Sequence, residues 1–169
     1  MDHTLITFDE VGFRLVPVYR KVWYFQGEKP QGVFFWSNKK LSLIGALIEG
    51  EKIFYEWHDS LNSLTFKAFL SSFIDTLSKK KKYVFLLDNV GYHKTYCIIN
   101  FIAKFENIKL EFYPTYSPEL NAIETCWKIT RANVTNSTYF KTIDEMKYSI
   151  EQFLDNHNFM LDLSHYLCP

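Results

Sequence analysis

Short apolar runs bounded by turn-forming residues predict β-strands in the first third of the chain. The run 5–8 is apolar and prone to form a strand, and the segment Asp9-Glu10-Val11-Gly12 is expected to end it. Two more strands are expected at 41–48 and 52–57, joined by a tight turn at Glu49-Gly50-Glu51. The aromatic-rich segment 13–36 is interrupted by prolines and glycines, which indicates one or two strands with irregular loops.

The pattern then changes to the period of an amphipathic helix. Apolar residues recur at helical spacing across 64–77, and Asn62 or Ser63 stands where a helix cap is needed. The continuous apolar run 83–87 is typical of a central strand buried on both faces, and it stops at Asp88.

Helices alternate with strands in the rest of the chain. Apolar residues across 98–105 predict a second helix, and the run 108–113 predicts a fifth strand. A third helix is expected to open near Ser117 or Asn121, and the last helix begins at Thr142 with a capping box.

The resulting order of elements is β-β-β-α-β-α-β-α, followed by a terminal helix. This order favours an α/β fold with a mixed five-stranded sheet, in which an antiparallel meander precedes parallel strands joined by helices. It is the connectivity of the ribonuclease H-like fold. We expect a single domain spanning residues 1–169, because a chain of this length can bury one hydrophobic core.

Composition excludes several classes of protein. A hydrophobic content of 47% excludes a disordered chain. The 19 basic and 19 acidic residues balance, so any contact with nucleic acid must come from a local patch. The three cysteines include no CxxC pair, which argues against structural zinc and suits a reduced, cytoplasmic protein. We see no secretion signal and no apolar run of the roughly 20 residues that a membrane span needs.

Three acids stand where a catalytic site could use them. Asp9 and Asp88 follow two strands that are expected to be central neighbours, and Glu124 lies near the start of the helix after the fifth strand. Carboxylates gathered in one place repel each other unless a cation neutralises them. Oxygen ligands select Mg²⁺ or Mn²⁺, and a pair of such ions can serve phosphoryl transfer.

Each of these acids also has an ordinary structural interpretation. Asp9 and Asp88 both precede turns, where aspartate bonds to nearby backbone amides. Glu124 comes three residues after Asn121 and could complete a helix cap. Glu10 is an alternative acid next to Asp9, as is Glu119 near Glu124. The chemistry of the residues alone leaves both interpretations open.

Two longer stretches carry a more specific signal. One is Leu86-Leu87-Asp88-Asn89-Val90-Gly91-Tyr92-His93. The other is Tyr113-Pro114-Thr115-Tyr116-Ser117-Pro118-Glu119-Leu120-Asn121-Ala122-Ile123-Glu124, followed by Trp127-Lys128. Both resemble the motifs of the mariner-type DDE transposases and their prokaryotic insertion-sequence relatives. The 35 residues between Asp88 and Glu124 match the family spacing to within about a residue.

The resemblance extends over nearly the whole chain, with some departures. The opening Phe8-Asp9-Glu10-Val11-Gly12-Phe13 resembles the first-acid motif of the family, and Gly45-Ala46-Leu47 follows in the expected order. Ala122 and Thr115 stand where the family usually has proline. The family's N-terminal helix-turn-helix domains are absent from this sequence. We therefore expect end recognition to come from a module elsewhere on the full protein or on a separate chain.

The resemblance implies a role for each candidate residue. Asp9, Asp88 and Glu124 would hold two Mg²⁺ or Mn²⁺ ions, cut DNA at transposon ends and join the freed 3′-hydroxyl to target DNA. His93 would orient a phosphate or a ligand of the metal, or else make a structural hydrogen bond. Asn89 and Asn121 are supporting residues that would shape the loops around the acids.

The resemblance also implies partners and leaves rival functions open. Lys128 and Arg131 follow Glu124 by one and two helical turns and are candidates for contacts with DNA phosphates. A homodimer and a location with the DNA of the nucleoid are further expectations. One rival function is a ribonuclease H-like nuclease that only hydrolyses. The other is a decayed or repurposed transposase domain that binds a partner without catalysis.

Overall fold

The computed structural model describes residues 3–15, 25–27, 37–136 and 138–167. Five strands are present in these ranges: β1 (His3–Arg14), β2 (Lys40–Ile48), β3 (Lys52–His58), β4 (Lys82–Leu87) and β5 (Ile108–Phe112). The helices are α1 (Ser63–Thr76), α2 (Tyr96–Ile102), α3 (Ala122–Thr130), α4 (Ile143–Asn156) and α5 (Ser164–Leu167). The strands predicted between Val16 and Trp36 lie outside the described residues, apart from the short stretch 25–27.

The strands form one mixed sheet in the order β3-β2-β1-β4-β5. β1, β2 and β3 pair antiparallel as a meander, and β4 and β5 run parallel to β1. The predicted mixed five-stranded sheet is confirmed, with β1 and β4 as central neighbours. None of the described helices is long and apolar enough to cross a membrane.

Two hydrophobic cores lie on opposite faces of the sheet because side chains alternate along β1. Ile6 and Phe8 point to one face and pack with α1 and α2. Val11 and Phe13 point to the other face and pack with α3 and α4. The result is three layers, with the sheet between two pairs of helices, and consecutive residues of β1 reach different layers.

The predicted starts of the first and last long helices are confirmed. Asn62 caps α1 and Thr142 caps α4, each within a capping box. The turn between β2 and β3 also matches its prediction, because Glu49 and Gly50 both have positive φ, as the central residues of a type I′ hairpin turn do. Gly50 also leaves no room for a side chain, since a Cβ there would lie 2.1 Å from the Leu161 carbonyl oxygen.

Two predicted boundaries were wrong. Asp9 does not end the first strand but lies inside β1, which continues to Arg14 because residues 10–14 keep pairing with β2. Gly12 was interpreted as a strand breaker, yet it stays in register opposite Ser42. The second helix ends at Ile102 rather than near residue 105, and the chain turns there into β5.

The side chain of Trp127, from α3, packs directly on the backbone of β2. A Cβ built on Gly45 would lie 2.6 Å from Cη2 of the Trp127 ring and 3.3 Å from Cδ1 of Ile123. Trp127 is only 1% exposed, so its ring cannot swing away without disturbing the core. Gly45 is therefore needed for α3 to approach the sheet this closely.

We expect Gly45→Ala to lower the free energy of unfolding by about 1–3 kcal/mol, because the added methyl group overpacks the contact with Trp127. Urea denaturation followed by circular dichroism measures this loss. Gly91→Ala is the matched control, since a Cβ there meets no atom within 4 Å. The control should change stability by no more than about 0.5 kcal/mol. Equal stability of the two variants would contradict the packing argument.

Candidate active site

All three acids singled out in the sequence line one cavity of about 340 Å³. Asp9 comes from β1, Asp88 directly follows β4, and Glu124 lies in the first turn of α3. The remaining lining residues come from the loops that follow β4 and β5 and from the start of α3: Asn89, Val90, Tyr113, Pro114, Thr115, Tyr116, Ser117, Pro118 and Asn121. The predicted convergence of the acids on one site is thus present in the fold.

The register of the two central strands brings the aspartates together. Thr7 of β1 pairs with Leu86 of β4 in the parallel ladder. Asp9 and Asp88 each lie two residues beyond that pair, so they stand at the same level of the sheet. β4 ends there, while β1 continues beside β2 alone. The end of β4 opens the space that becomes the cavity.

Asp9 is a buried carboxylate, with 9% of the residue exposed. The indole Nε1–H of Trp127 donates a hydrogen bond of 2.9 Å to its Oδ2 atom. Burial raises the pKa of Asp9 well above its ordinary value, and the charges of Glu124 and Glu10 raise it further. Hydrogen bonds from the backbone of Glu10 and from Trp127 oppose this shift without cancelling it. The surroundings of Asp9 therefore destabilise its charged form.

Asp88 is held by a buried histidine. Nδ1 of His93 lies 2.6 Å from Oδ1 of Asp88, and Nε2 of His93 lies 2.9 Å from Oε1 of Glu10. Burial alone would lower the pKa of His93, but its hydrogen bonds to Asp88 and Glu10 outweigh burial and raise that pKa to about 9. At neutral pH the imidazole is thus protonated and donates from both nitrogens.

Several buried oxygen atoms around the cavity have no hydrogen-bond donor among the described residues. They are Oδ1 of Asn89, Oδ1 of Asn121 and the hydroxyl of Tyr113. Burial, followed by the charge of Asp9, raises the pKa of Tyr113 and keeps its hydroxyl neutral. Uncompensated buried acceptors are costly, and they are expected where a missing ligand belongs.

This set of oxygen atoms fits a hard divalent cation. Asp9, Asp88 and Glu124 supply carboxylates, and Asn89 and Asn121 supply amide oxygens, which are the ligands that Mg²⁺ and Mn²⁺ prefer. Within the described residues, no three His, Cys, Asp or Glu side chains already form a compact ligand group. The carboxylates surround the cavity rather than closing on one point.

Asn121 and His93 both have structural hydrogen-bond partners next to the acids. The side chain of Asn121 does not cap α3, because its Nδ2 donates instead to the carbonyl oxygen of Phe8 at 3.1 Å. Asn121 therefore ties the start of α3 to β1 next to Asp9. His93 is fully buried with both nitrogens engaged, so it has no free nitrogen for a phosphate.

The two candidate phosphate-binding residues differ in their surroundings. Lys128 is exposed on α3. Arg131 is partly buried, with Nη2 donating to the carbonyl oxygen of Gly12 at 3.3 Å and its guanidinium lying 5.7 Å from the centre of the Phe13 ring. In this arrangement the ammonium group of Lys128 is more accessible to a phosphate than the guanidinium group of Arg131.

Sequence reasoning missed the roles of three residues. Trp127 was expected only as part of the family motif, but its indole N–H donates a hydrogen bond to Asp9. Glu10 was considered only as a substitute acid, but it belongs to the His93 network. Tyr116 is fully exposed at the cavity, with a positive φ of 59°. An aspartate and a glutamate that are adjacent in a strand must face opposite sides, and that signal could have separated Asp9 from Glu10.

The destabilised charge of Asp9 leads to a prediction for the Asp9→Asn variant. We expect this variant to be more stable than the parent at pH 7 without divalent cations, because asparagine can still accept from Trp127 while the repulsion with Glu124 and Glu10 is gone. The midpoint of thermal unfolding should rise by about 2–4 °C for each kcal/mol of repulsion removed. Asp75→Asn, on the exposed surface of α1, is the control and should leave the midpoint unchanged.

The advantage of Asp9→Asn should also depend on pH. The folded-state pKa of Asp9 lies above its unfolded value, so the parent gains stability when Asp9 takes up a proton as the pH falls through the folded-state pKa toward 3.8. The two proteins should therefore become more alike in stability over that range. A stability difference that stays constant from neutral to acid pH would show that the charge of Asp9 is not its cause.

Comparison of the sequence with known proteins assigns the chain to a family. A family model described as DDE superfamily endonuclease matches residues 4–147. The insertion element IS630 uncharacterized 39 kDa protein of Shigella sonnei is 23% identical over 155 residues, which are 91% of this chain and 45% of that protein. An uncharacterized protein of Sinorhizobium fredii is 36% identical over 63 residues, which are 37% of this chain and 44% of that protein. The matched residues thus cover less than half the length of either relative.

Solved structures of the Mos1 mariner transposase share the fold. The paired-end complex with Mn matches with a TM-score of 0.77 at 18% identity, over 98% of this chain and 52% of that one. The isolated catalytic domain of Mos1 matches with a TM-score of 0.65 at 17% identity, over 97% of this chain and 74% of that one. The predicted ribonuclease H-like fold is thereby confirmed. The chain belongs to the DDE superfamily of endonucleases and has the fold of a transposase catalytic domain.

Proposed function

We propose that this chain is the catalytic domain of a transposase that cuts DNA at transposon ends and joins the freed 3′-hydroxyl to target DNA. The observation that carries the proposal is the convergence of Asp9, Asp88 and Glu124 on one cavity. These acids come from three separate elements of the fold, and the motifs around Asp88 and Glu124 match the family pattern. Simple turn and cap roles do not account for that convergence.

Asp9, Asp88 and Glu124 would hold two Mg²⁺ or Mn²⁺ ions, with Asn89 and Asn121 able to add oxygen ligands. Bound there, the ions would activate the attacking oxygen and stabilise the leaving oxygen of an in-line displacement at phosphorus. Trp127 and His93 each hold one oxygen of an aspartate in place. The surrounding burial makes each charge in the site act more strongly on a phosphate than it would in water.

Contacts with DNA would come from the rim of this cavity. Lys128 is exposed near Glu124 and can reach a backbone phosphate. Arg131 would have to leave Gly12 and Phe13 to do the same. Tyr116 offers a fully exposed aromatic ring at the cavity, which suits stacking on an unpaired base. Neutral net charge fits a domain that carries out the chemistry while affinity for DNA lies elsewhere.

The relatives support these partners. Mos1 has been solved as a paired-end complex with Mn and with Mg, and as a strand transfer complex. By analogy, this chain would act on transposon ends in the cytoplasm, where bacterial DNA lies, and would work as a homodimer. By the same analogy, an N-terminal module on the full protein or on a separate chain would recognise the ends.

Asp88→Asn should abolish Mn²⁺-dependent nicking of a supercoiled plasmid, because the amide removes a negative charge that the cations need. Glu119→Gln is the matched control, since Glu119 is an exposed acid that lies close in sequence but does not line the cavity. The control should nick like the parent. Nicking by Asp88→Asn at the parental rate would rule out the assigned site.

A second assay separates the proposed function from its two rivals. Incubation with labelled, pre-cut DNA ends and a target plasmid should yield joined products. Cleavage without any joining would identify a nuclease that only hydrolyses. A calorimetric titration in which the parent binds no Mn²⁺ would favour a domain without catalysis.

A further inference from the structure

Glu10 is a nearly buried acid that does not line the cavity. It follows Asp9 in β1, so its side chain lies on the opposite face of the sheet, toward α1 and α2. Only 9% of its side chain is exposed. A carboxylate buried to this extent is costly unless it is paired. Its closest partner is the Nε2 atom of His93 at 2.9 Å, and the hydroxyl of Tyr92 also donates to it.

The ring of His93 is fixed by more than its two hydrogen bonds. Its centre lies 4.2 Å from that of the Phe66 ring of α1 and 4.5 Å from that of Tyr92. None of the His93 surface is exposed. The ring therefore transmits the position of Glu10 to Asp88 as a rigid spacer, because it cannot turn without displacing packed aromatic residues.

Among the described residues, His93 is the one hydrogen-bond partner of the Asp88 side chain. The Asp88 side chain is 34% exposed and follows the last residue of β4. Oδ1 faces His93 at 2.6 Å, and no described residue donates a hydrogen bond to the other oxygen. The direction in which that second oxygen points thus depends on the bond to His93.

We propose that Glu10 is a positioning residue for Asp88. By holding Nε2 of His93, Glu10 keeps Nδ1–H directed at Oδ1 of Asp88 and leaves the second oxygen of Asp88 directed to the cavity. Glu10 itself touches neither substrate nor cation. This inference rests on the proposed function, because Asp88 must be a ligand for its orientation to matter.

Three substitutions of Glu10 separate its possible contributions. Glu10→Ala removes the acceptor. Glu10→Asp keeps the charge but withdraws the carboxylate from His93 by one methylene group. Glu10→Gln keeps the length and can still hydrogen-bond Nε2. Glu119→Gln serves again as the control at an exposed acid.

We expect Glu10→Ala and Glu10→Asp to weaken Mn²⁺ binding, measured by calorimetry, by about 10–100-fold, as is typical for partners that orient a metal ligand. Plasmid nicking at limiting Mn²⁺ should fall to a similar extent. Glu10→Gln should restore most of the binding and nicking, because the hydrogen bond is retained. If Glu10→Ala fails to fold, the comparison of Glu10→Asp with Glu10→Gln carries the test.

A metal-free measurement tests the geometry directly. Proton–nitrogen spectra of protein labelled at histidine should show a slowly exchanging Nδ1–H of His93 in the parent and in Glu10→Gln. That signal should be lost or shifted in Glu10→Ala and Glu10→Asp. An unchanged signal in all three variants would overturn the inference.

The outcomes distinguish the inference from the proposed function. If Asp88→Asn loses Mn²⁺ binding while Glu10→Ala and Glu10→Asp bind like the parent, Glu10 is not a positioning residue and the proposed function stands. If the parent neither binds Mn²⁺ nor nicks DNA, the proposed function fails and the inference fails with it.

Discussion

The alternation of side chains along β1 is the constraint on which the rest of this structure depends. Among the described strands, β1 alone pairs parallel on one side and antiparallel on the other, and its two faces contribute to separate hydrophobic cores. Asp9 and Glu10 are neighbours in sequence but belong to different layers of the fold. Asp9 faces Trp127 and Glu124, whereas Glu10 faces His93. A slip of one residue in β1 would exchange these acids and bury the wrong set of apolar residues.

The acids of this site lie in surroundings that are unfavourable for negative charge. Burial and neighbouring acids make the charged form of Asp9 unfavourable, and buried acceptors on Asn89 and Asn121 have no donors among the described residues. The surrounding fold compensates only in part, through the indole of Trp127 and the cationic imidazole of His93. Sites that hold such strain gain from binding a cation, and the stability given up in the free protein becomes affinity for the ligand.

Much of this molecule could be predicted from its sequence because the signals were local. A cap residue marked the start of α1, and a capping box marked the start of α4. The continuous apolar run of β4 predicted that this strand is buried and that it ends before Asp88. The length of β1 could not be predicted, because its continuation through Gly12 follows the pairing with β2, a distant part of the chain. The roles of Trp127 and Glu10 were also hidden, because each depends on a partner more than 80 positions away.

The parallel pairing of β1 with β4 has a consequence for the order in which the chain acquires its structure. Pairs such as Thr7 with Leu86 close a long loop. Such contacts form slowly, because the chain loses the entropy of the open loop before the paired strands gain any stabilising contact. During synthesis β1 leaves the ribosome well before β4 exists, so the edge of β1 that pairs with β4 has no partner strand until then. Asp9 and Asp88 therefore meet only after about half of the 169 residues have been made, and Glu124 follows later still. An incomplete chain thus carries the first acid without the assembled set of three.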